Sequence, residues 1–293
     1  MAAEQRPHVD ALTGTATTGH EWDGLRELNT PLPRWWLWLF YATIIWSIGY
    51  WIVYPSWPLI SSYTRGTFGW SSREAVVTEL SLLKAQRGPM MQQLADAPLQ
   101  QIAEDPLLLD FARAVGRTAF ADNCAPCHGA GGGGAKGYPN LNDDEWLWGG
   151  SLDAIAQSIR TGIRSGHPDT RSGSMPAFGR DNILPRADIN AVADYTRSLA
   201  RLPVPPAADL ERGAKVFADN CAVCHGDKGT GKRELGAPNL TDAIWLYGSD
   251  RDTIIAGLVN GRGAVMPMWA GRLDDTTIKA LAVYVHALGG GEK

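Results

Sequence analysis

The chain has 293 residues, 20% of them charged, with 27 Lys and Arg against 31 Asp and Glu and a formal net charge of -4. That balance leaves no electrostatic footprint for nucleic acid, and the length exceeds one average domain, which predicts two compact modules with accessories. Only four cysteines occur, Cys124, Cys127, Cys221 and Cys224, in two Cys-x-x-Cys pairs, so none is left over for a structural disulfide.

Residues 1–30 are polar, with Pro7, Gly14, Thr17, Thr18 and Gly19 and no sustained apolar period, and they read as a mobile tail. From Trp35 to Tyr54 run twenty residues without a charge. A helix of that length is about 30 Å long, enough to cross the hydrocarbon core of a bilayer. Trp35, Trp36 and Trp38 at one end and Tyr50, Trp51, Tyr54 and Trp57 at the other match aromatic belts at the two interfaces. Seven of the chain's twelve tryptophans lie between Trp35 and Trp70, and Pro55 and Pro58 stop the helix. A cleaved signal peptide would begin earlier, be shorter and end in a small-x-small site, so 35–54 reads as an uncleaved transmembrane anchor. Arg6, Arg26 and Arg34 precede the span and Arg65 and Arg73 follow it, a weak bias towards a cytoplasmic N-terminus.

Residues 55–107 read as a helical connector with no chemistry of its own. Ala75, Val76, Leu80, Leu82 and Leu83 have helical spacing, and Pro89, Pro98 and Pro106 are expected to break the helix into pieces.

An internal repeat follows. FADNCAPCHG at 120–129 recurs as FADNCAVCHG at 217–226, nine matches in ten. The correspondence continues through Pro139-Asn140-Leu141 and Pro238-Asn239-Leu240, then Trp146-Leu147-Trp148-Gly149 and Trp245-Leu246-Tyr247-Gly248. Next come Gly162-Ile163-Arg164 against Gly261-Arg262-Gly263, and Met175-Pro176 against Met266-Pro267. Each copy closes with an apolar-periodic helix, Ile189 to Leu199 and Ile278 to Leu288. The copies span 108–202 and 207–293, joined by Pro203-Val204-Pro205-Pro206.

Cys124-Ala125-Pro126-Cys127-His128 and Cys221-Ala222-Val223-Cys224-His225 both fit C-x-x-C-H, the pattern of c-type haem attachment. Two thiols three residues apart reach the two vinyl groups of one porphyrin as thioethers, and the next side chain lies under the iron as proximal ligand. A redox dithiol has no need of the adjacent His, and a zinc site would use both pairs and leave both His-Gly continuations unexplained. The reading is therefore two covalently bound haem c groups on Cys124, Cys127, Cys221 and Cys224, with His128 and His225 on the irons.

Distal ligands come from six methionines: Met1, Met90, Met91, Met175, Met266 and Met268. Met175 and Met266 stand at the same place in the repeat, each followed by Pro, and are the expected sixth ligands; a lone Met of this kind is more often core filler. Met268 matches Ala177 of the first copy and is the rival to Met266. His167 is the rival for the first haem, while His286, opposite Ser198 in the repeat, reads as a surface residue. Whether each Met serves the haem of its own copy or of the other is left open by the sequence. The carbonyls of Pro139 and Pro238 are placed to accept the imidazole N–H. Gly129 to Gly134 lack the Gly-Lys-Ser/Thr of a phosphate loop and read as a flexible crossing under the haem.

His/Met ligation fills all six iron positions and leaves no site for oxygen or peroxide, so the haems are expected to move single electrons. Covalent haem attachment by this motif takes place on the periplasmic side of the bacterial inner membrane, which places both copies there and residues 1–34 in the cytoplasm.

With anchor, connector and two haem domains in this order, the chain resembles subunit III of cbb3-type cytochrome c oxidases, the di-haem subunit often called CcoP or FixP. Trp22-Asp23-Gly24-Leu25-Arg26-Glu27-Leu28-Asn29-Thr30-Pro31-Leu32-Pro33-Arg34-Trp35-Trp36 is similar to the family's own signature, and Asn142 to Gly150 and Met175 to Gly179 also resemble it. Some members have an additional N-terminal membrane helix that does not occur here. The resemblance implies an all-α fold, one transmembrane helix followed by two tandem class I cytochrome c domains. It further implies electrons accepted from a donor cytochrome c and passed to a mono-haem subunit and then a haem-copper catalytic subunit, where oxygen becomes water. The chain would be a non-catalytic electron-transfer subunit of that oxidase, with 20–34 as a docking segment. The alternative is a stand-alone membrane-anchored di-haem cytochrome c, a shuttle or a peroxidase; the equivalent Met-Pro motifs count against a peroxidase, which needs an iron that opens.

Overall fold

The computed structural model describes residues 8–292; Met1, Arg6 and Pro7 lie outside them. The chain divides into two compact units, one up to Ala85 and one from Gln86.

In the first unit the expectation of a tail without regular structure is corrected. Strand β1 (Thr17–Trp22) pairs antiparallel with β2 (Leu25–Leu28), with Trp22 opposite Leu25. Asp23 and Gly24 both take positive φ, 49° and 85°, as a two-residue primed turn requires. Glu21 and Arg26 face each other across the ladder and form an ion pair at 2.6 Å. Helix α1 (Arg34–Val53) follows, with none of its residues buried against protein, as an all-apolar helix intended for lipid or for other membrane helices would be. It ends before Pro55, and the returning loop completes its last turn: Thr67 and Phe68 donate backbone N–H groups to the carbonyls of Ile52 (3.0 Å) and Val53 (3.1 Å). Gly66, at φ 73°, lets that loop approach; a Cβ there would overlap the Val53 carbonyl.

Helix α2 (Ser72–Asp96) runs unbroken through Pro89, so Pro89 does not divide the connector as expected. Pro98 and Pro106 do act as boundaries: Pro98 precedes α3 (Leu99–Glu104), and Pro106 occupies the first turn of α4 (Pro106–Asn123). There the Asp105 carboxylate accepts from the N–H groups of Leu107 and Leu108. The single turn α5 (Ala125–His128) carries the first C-x-x-C-H; then come α6 (Leu152–Thr161) and α7 (Arg186–Leu199). The second repeat supplies α8 (Leu210–Asn220), the turn α9 (Ala222–His225), α10 (Arg251–Asn260) and α11 (Asp275–His286). Besides α4, four of these helices start on a Ser or Asp cap: Ser151, Asp209, Asp250 and Asp274.

Packing in the second unit does not follow the repeat boundaries. Helix α11, the last of the chain, packs on α4, the first helix of the first repeat, and α7 packs on α8. The contact is the same in both places. Gly116 of α4 lies so close to Ala280 of α11 that a Cβ would overlap the Ala280 carbonyl, and Gly213 of α8 stands in the same relation to Ala191 of α7. Phe120 meets Tyr284 with ring centroids 5.4 Å apart, and Phe217 meets Tyr195 at 5.5 Å. One core gathers Phe120, Ile155, Ile159, Ile278 and Leu281; its counterpart gathers Phe217, Ile255, Leu258, Ile189 and Val192. Each core is thus built from both repeats.

The exchange happens just after α6 and α10. Ile163 and Met266 swap both backbone hydrogen bonds at 3.0 Å, and Met175 and Arg262 do the same at 2.9 and 3.1 Å. Gly162 (φ 69°) and Gly261 (φ 75°) carry the chain across; a Cβ on Gly162 would lie 2.5 Å from the Met266 carbonyl oxygen, so only glycine fits by space and by φ. The end of the connector joins this assembly, since Leu94, Ala97 and Ile102 are buried with Leu108, Leu152 and Val283.

Candidate functional site

Helix α8 delivers the second motif. Cys221 caps it, and the one-turn α9 folds back so that Cys224 and His225 both donate their N–H to the Cys221 carbonyl, at 3.1 and 2.9 Å. Gly226, at φ 76°, ends the turn. Both thiols and the imidazole thereby share one side of a short helical turn. The His225 Nδ1 lies 3.0 Å from the Pro238 carbonyl oxygen. A carbonyl only accepts, so Nδ1 carries the proton and Nε2 keeps its lone pair for a metal. Burial lowers the His225 pKa, which favours the neutral ring, against a smaller opposing effect of the Pro238 carbonyl.

The first motif repeats this geometry. His128 donates its N–H to the Cys124 carbonyl at 2.9 Å, and its Nδ1 lies 3.0 Å from the Pro139 carbonyl. The contacts expected of Pro139 and Pro238 are present. Gly129 to Gly134 is held rather than loose: Gly134 N–H bonds the His128 carbonyl at 2.8 Å and Leu141 N–H bonds the Gly132 carbonyl at 2.7 Å.

Burial, aided by the neighbouring Cys127 and Cys224, pushes the Cys124 and Cys221 thiols up to about 11. A redox dithiol works through a lowered pKa, the opposite of the shift at Cys124 and Cys221. The two pairs also serve separate sites, and among the described residues no cluster of three or more His, Cys, Asp and Glu is arranged for a bare metal ion.

The methionines cross over. Met175, from the first repeat, lines the cavity of about 370 Å³ that also holds Cys221, Cys224 and His225, and it packs on the core containing Phe217 and Cys221. Met266, from the second repeat, packs against the core of Phe120, Ile155 and Ile278, as do Cys124 and Ala125. Each methionine therefore lies nearer the Cys-x-x-Cys-His motif of the other repeat than its position in the sequence suggests. The walls around His225 are mainly apolar, with Phe178, Leu240, Ile254 and Leu258 among them. This donor set and shape fit a flat apolar macrocycle anchored by two thiols, with His on one face and Met on the other.

The rivals lie elsewhere. His167 accepts the Asp169 N–H on its Nδ1 at 3.0 Å and lines neither the His225 cavity nor the core at Cys124. Met268 is half-buried and outside both cores. His286 is half-buried and bonds the Glu292 carbonyl through Nε2 at 2.7 Å, so it is not the surface residue expected. Sequence reasoning passed over Trp148, which is 8% exposed, and Tyr247; they were visible as matched aromatics of the repeat but carried no recognisable chemistry.

Comparison with known proteins agrees with this organisation. Residues 14–61 match the N-terminal domain of cytochrome oxidase-cbb3, FixP, and residues 112–195 and 208–285 match cytochrome c oxidase, cbb3-type, subunit III. The chain is 61% identical over 284 residues to the cbb3-type cytochrome c oxidase subunit FixP of Bradyrhizobium sp. (strain ORS 278), covering 97% of this chain and 98% of that one. It is 60% identical to the FixP subunit of Azorhizobium caulinodans (97% and 96% covered) and 50% identical to the CcoP subunit of Azospirillum brasilense (97% and 98% covered).

Proposed function

The chain belongs to the subunit III family of cbb3-type cytochrome c oxidases, and from that premise we propose that it relays electrons through two haem c groups held between its two repeats. It is a membrane-anchored cytochrome c electron-transfer subunit, with α1 as its anchor and other oxidase subunits as partners. The observation that carries the two-site reading is the equivalence of the His128 and His225 turns, each with a proline carbonyl on Nδ1 and each with a methionine of the other repeat packed against its core.

A c-type haem bound in each site supplies a one-electron iron couple. The protein's part is to hold it. Cys124 and Cys127, and Cys221 and Cys224, form the thioethers; His128 and His225 present Nε2, oriented by Pro139 and Pro238. Met175 serves the site of His225, and Met266 the site of His128. A haem held by His128 and Met266, or by His225 and Met175, would have no free position for oxygen or peroxide, so on this reading the subunit itself is non-catalytic and oxygen reduction takes place elsewhere in the oxidase. Thioether sulfur as axial donor raises the potential, which suits a carrier on the way to oxygen.

In this reading electrons enter from a donor cytochrome c and leave to the mono-haem subunit and the haem-copper catalytic subunit. The repeats lie on the periplasmic face and residues 1–34 on the cytoplasmic face. A stand-alone shuttle or peroxidase is not favoured by the relatives.

The test is purification through this chain in mild detergent, with a reduced-minus-oxidised spectrum, a haem count per chain and a gel stained for haem. Two c haems on this chain, b-type bands from companion subunits and oxygen uptake with reduced cytochrome c support the assignment. A chain that comes away alone with c-type haem overturns the oxidase role, and one haem per chain overturns the two-site reading.

A further inference from the structure

Two aromatic straps join the sites, and they are related as the repeats are. Trp146 packs against the same core as Cys124 and Met266. Its neighbour Leu147 lines the cavity of Cys221, Cys224 and His225. Trp148 then lays its indole flat on Gly236, where a Cβ would overlap the ring, and touches Gly173; both glycines line that same cavity. Arg171 lies over the indole, with its guanidinium 5.3 Å from the ring centre. In the second repeat Trp245 lines the His225 cavity, the Leu246 carbonyl accepts the Gly137 N–H at 2.8 Å, and the Tyr247 ring rests against Gly137 in the loop of the first site. Gly137 and Gly236, like Trp148 and Tyr247, are matched positions of the repeat.

Electron tunnelling weakens steeply across gaps and less steeply through bonded, closely packed matter. Trp146-Leu147-Trp148 runs without a break from the core of one site to the wall of the other. Its last ring is buried and pressed on backbone. We propose that this strap is the path between the two haem sites, with Trp148 as the residue that positions it. The inference rests on the two-haem reading above. One electron leaves the ferrous iron of one haem and reduces the ferric iron of the other; no bond forms or breaks, no proton moves, and Trp148 is neither oxidised nor reduced.

The experiment uses the full chain in detergent with both haems bound. One electron is injected by a laser-flash-generated flavin semiquinone, and its redistribution between the haems is followed by absorbance and by freeze-quench electron paramagnetic resonance. Trp148→Leu should keep two haems per chain and unchanged midpoint potentials while redistribution slows at least several-fold, and Trp148→Phe should recover most of the rate. If Trp148→Leu does not load both haems, Trp148→Met, which fills the space with a flexible chain, is read in the same way. Redistribution at the parent rate in an aliphatic variant carrying both haems overturns the proposal, as does slowing that Trp148→Phe fails to relieve. A parent chain carrying a single haem would sink the two-haem reading instead.

Discussion

Met175 and Arg262 exchange both backbone hydrogen bonds, at 2.9 and 3.1 Å, and this small bridge fixes the methionine of the first repeat over the His motif of the second. A ligand assignment by repeat would predict the reverse of what crossed ligation predicts. In a chain whose second site is emptied by Cys221→Ala and Cys224→Ala, one haem remains at His128. Met266→Leu should then abolish the sulfur-to-iron charge-transfer band of that remaining haem, and Met175→Leu should leave it intact. The opposite pattern would show each methionine serving its own repeat.

The glycines at the two helix crossings make the exchange energetically visible. Gly116 and Gly213 lie inside helices, where Ala is favoured over Gly by roughly 1 kcal/mol. A methyl group at either would nevertheless overlap a backbone carbonyl of the partner helix, at Ala280 and Ala191. Overpacking of this kind costs about 1–3 kcal/mol or more, since backbone cannot rotate away as a side chain does. Gly116→Ala and Gly213→Ala should therefore each lower stability in denaturant titration of the haem-loaded chain. A rise of about 1 kcal/mol, the propensity gain alone, would mean the crossings are looser than described.

Much of this architecture was legible in the residues. The uncharged run before Pro55, the two C-x-x-C-H motifs and the Met-Pro pairs each have a spacing that physics restricts to few meanings. The exchange of halves was not legible, because Gly116 and Gly213, and likewise Ala191 and Ala280, are matched positions that offer the same surfaces to either partner. What decides between them is the direction the chain takes after Gly162 and Gly261, which no local pattern encodes. The hairpin was missed for a different reason. Asp23-Gly24 is a turn signal, but β1 and β2 are almost wholly exposed and show no apolar alternation. Pro89 was read as a break because its ring removes one helical hydrogen bond. The helix continues because its far end is fastened: Leu94 is fully buried, and Lys279 donates to the carbonyls of Ala95 and Ala97 at 2.6 and 2.8 Å.

Asp194 and Arg251 tie α7 to α10 by a two-pronged pair, at 2.7 and 2.9 Å. The Asp194 carboxylate is 4% exposed, whereas Arg251 is about one-third exposed, so water screens one end only. The hydrogen bonds to Asp194 raise the Arg251 pKa. Arg251→Ala leaves a buried carboxylate without its cation and should cost about 2–3 kcal/mol, less than a fully buried pair. Asp194→Asn with Arg251→Met removes both charges together and should recover most of that loss. Equal losses in both variants would indicate that packing, and not the unpaired charge, accounts for the effect.

Glu145 gives the chain a stability that depends on pH near neutrality. Burial, then the charge of Asp242 and a shared proton with it, then Asp144 and Asp143, push its pKa up to about 7 from an ordinary 4.5. The Asp242 Oδ2 is buried without a hydrogen-bond partner. Between pH 4.5 and 7 the folded chain holds a proton here that the unfolded chain has released, so the unfolded state binds fewer protons and stability falls as pH rises through this window. Below 4.5 the contribution is present in full, and above about 7 it is lost. Glu145→Gln keeps a neutral group at all pH values. It should therefore unfold at a higher temperature than the parent above pH 7, with the gap closing as pH falls towards 4.5. Thermal melts of both chains across that range decide the matter. A gap that is constant with pH, or that widens on acidification, would mean Glu145 is already ionised at neutral pH and that Asp242 finds its proton elsewhere.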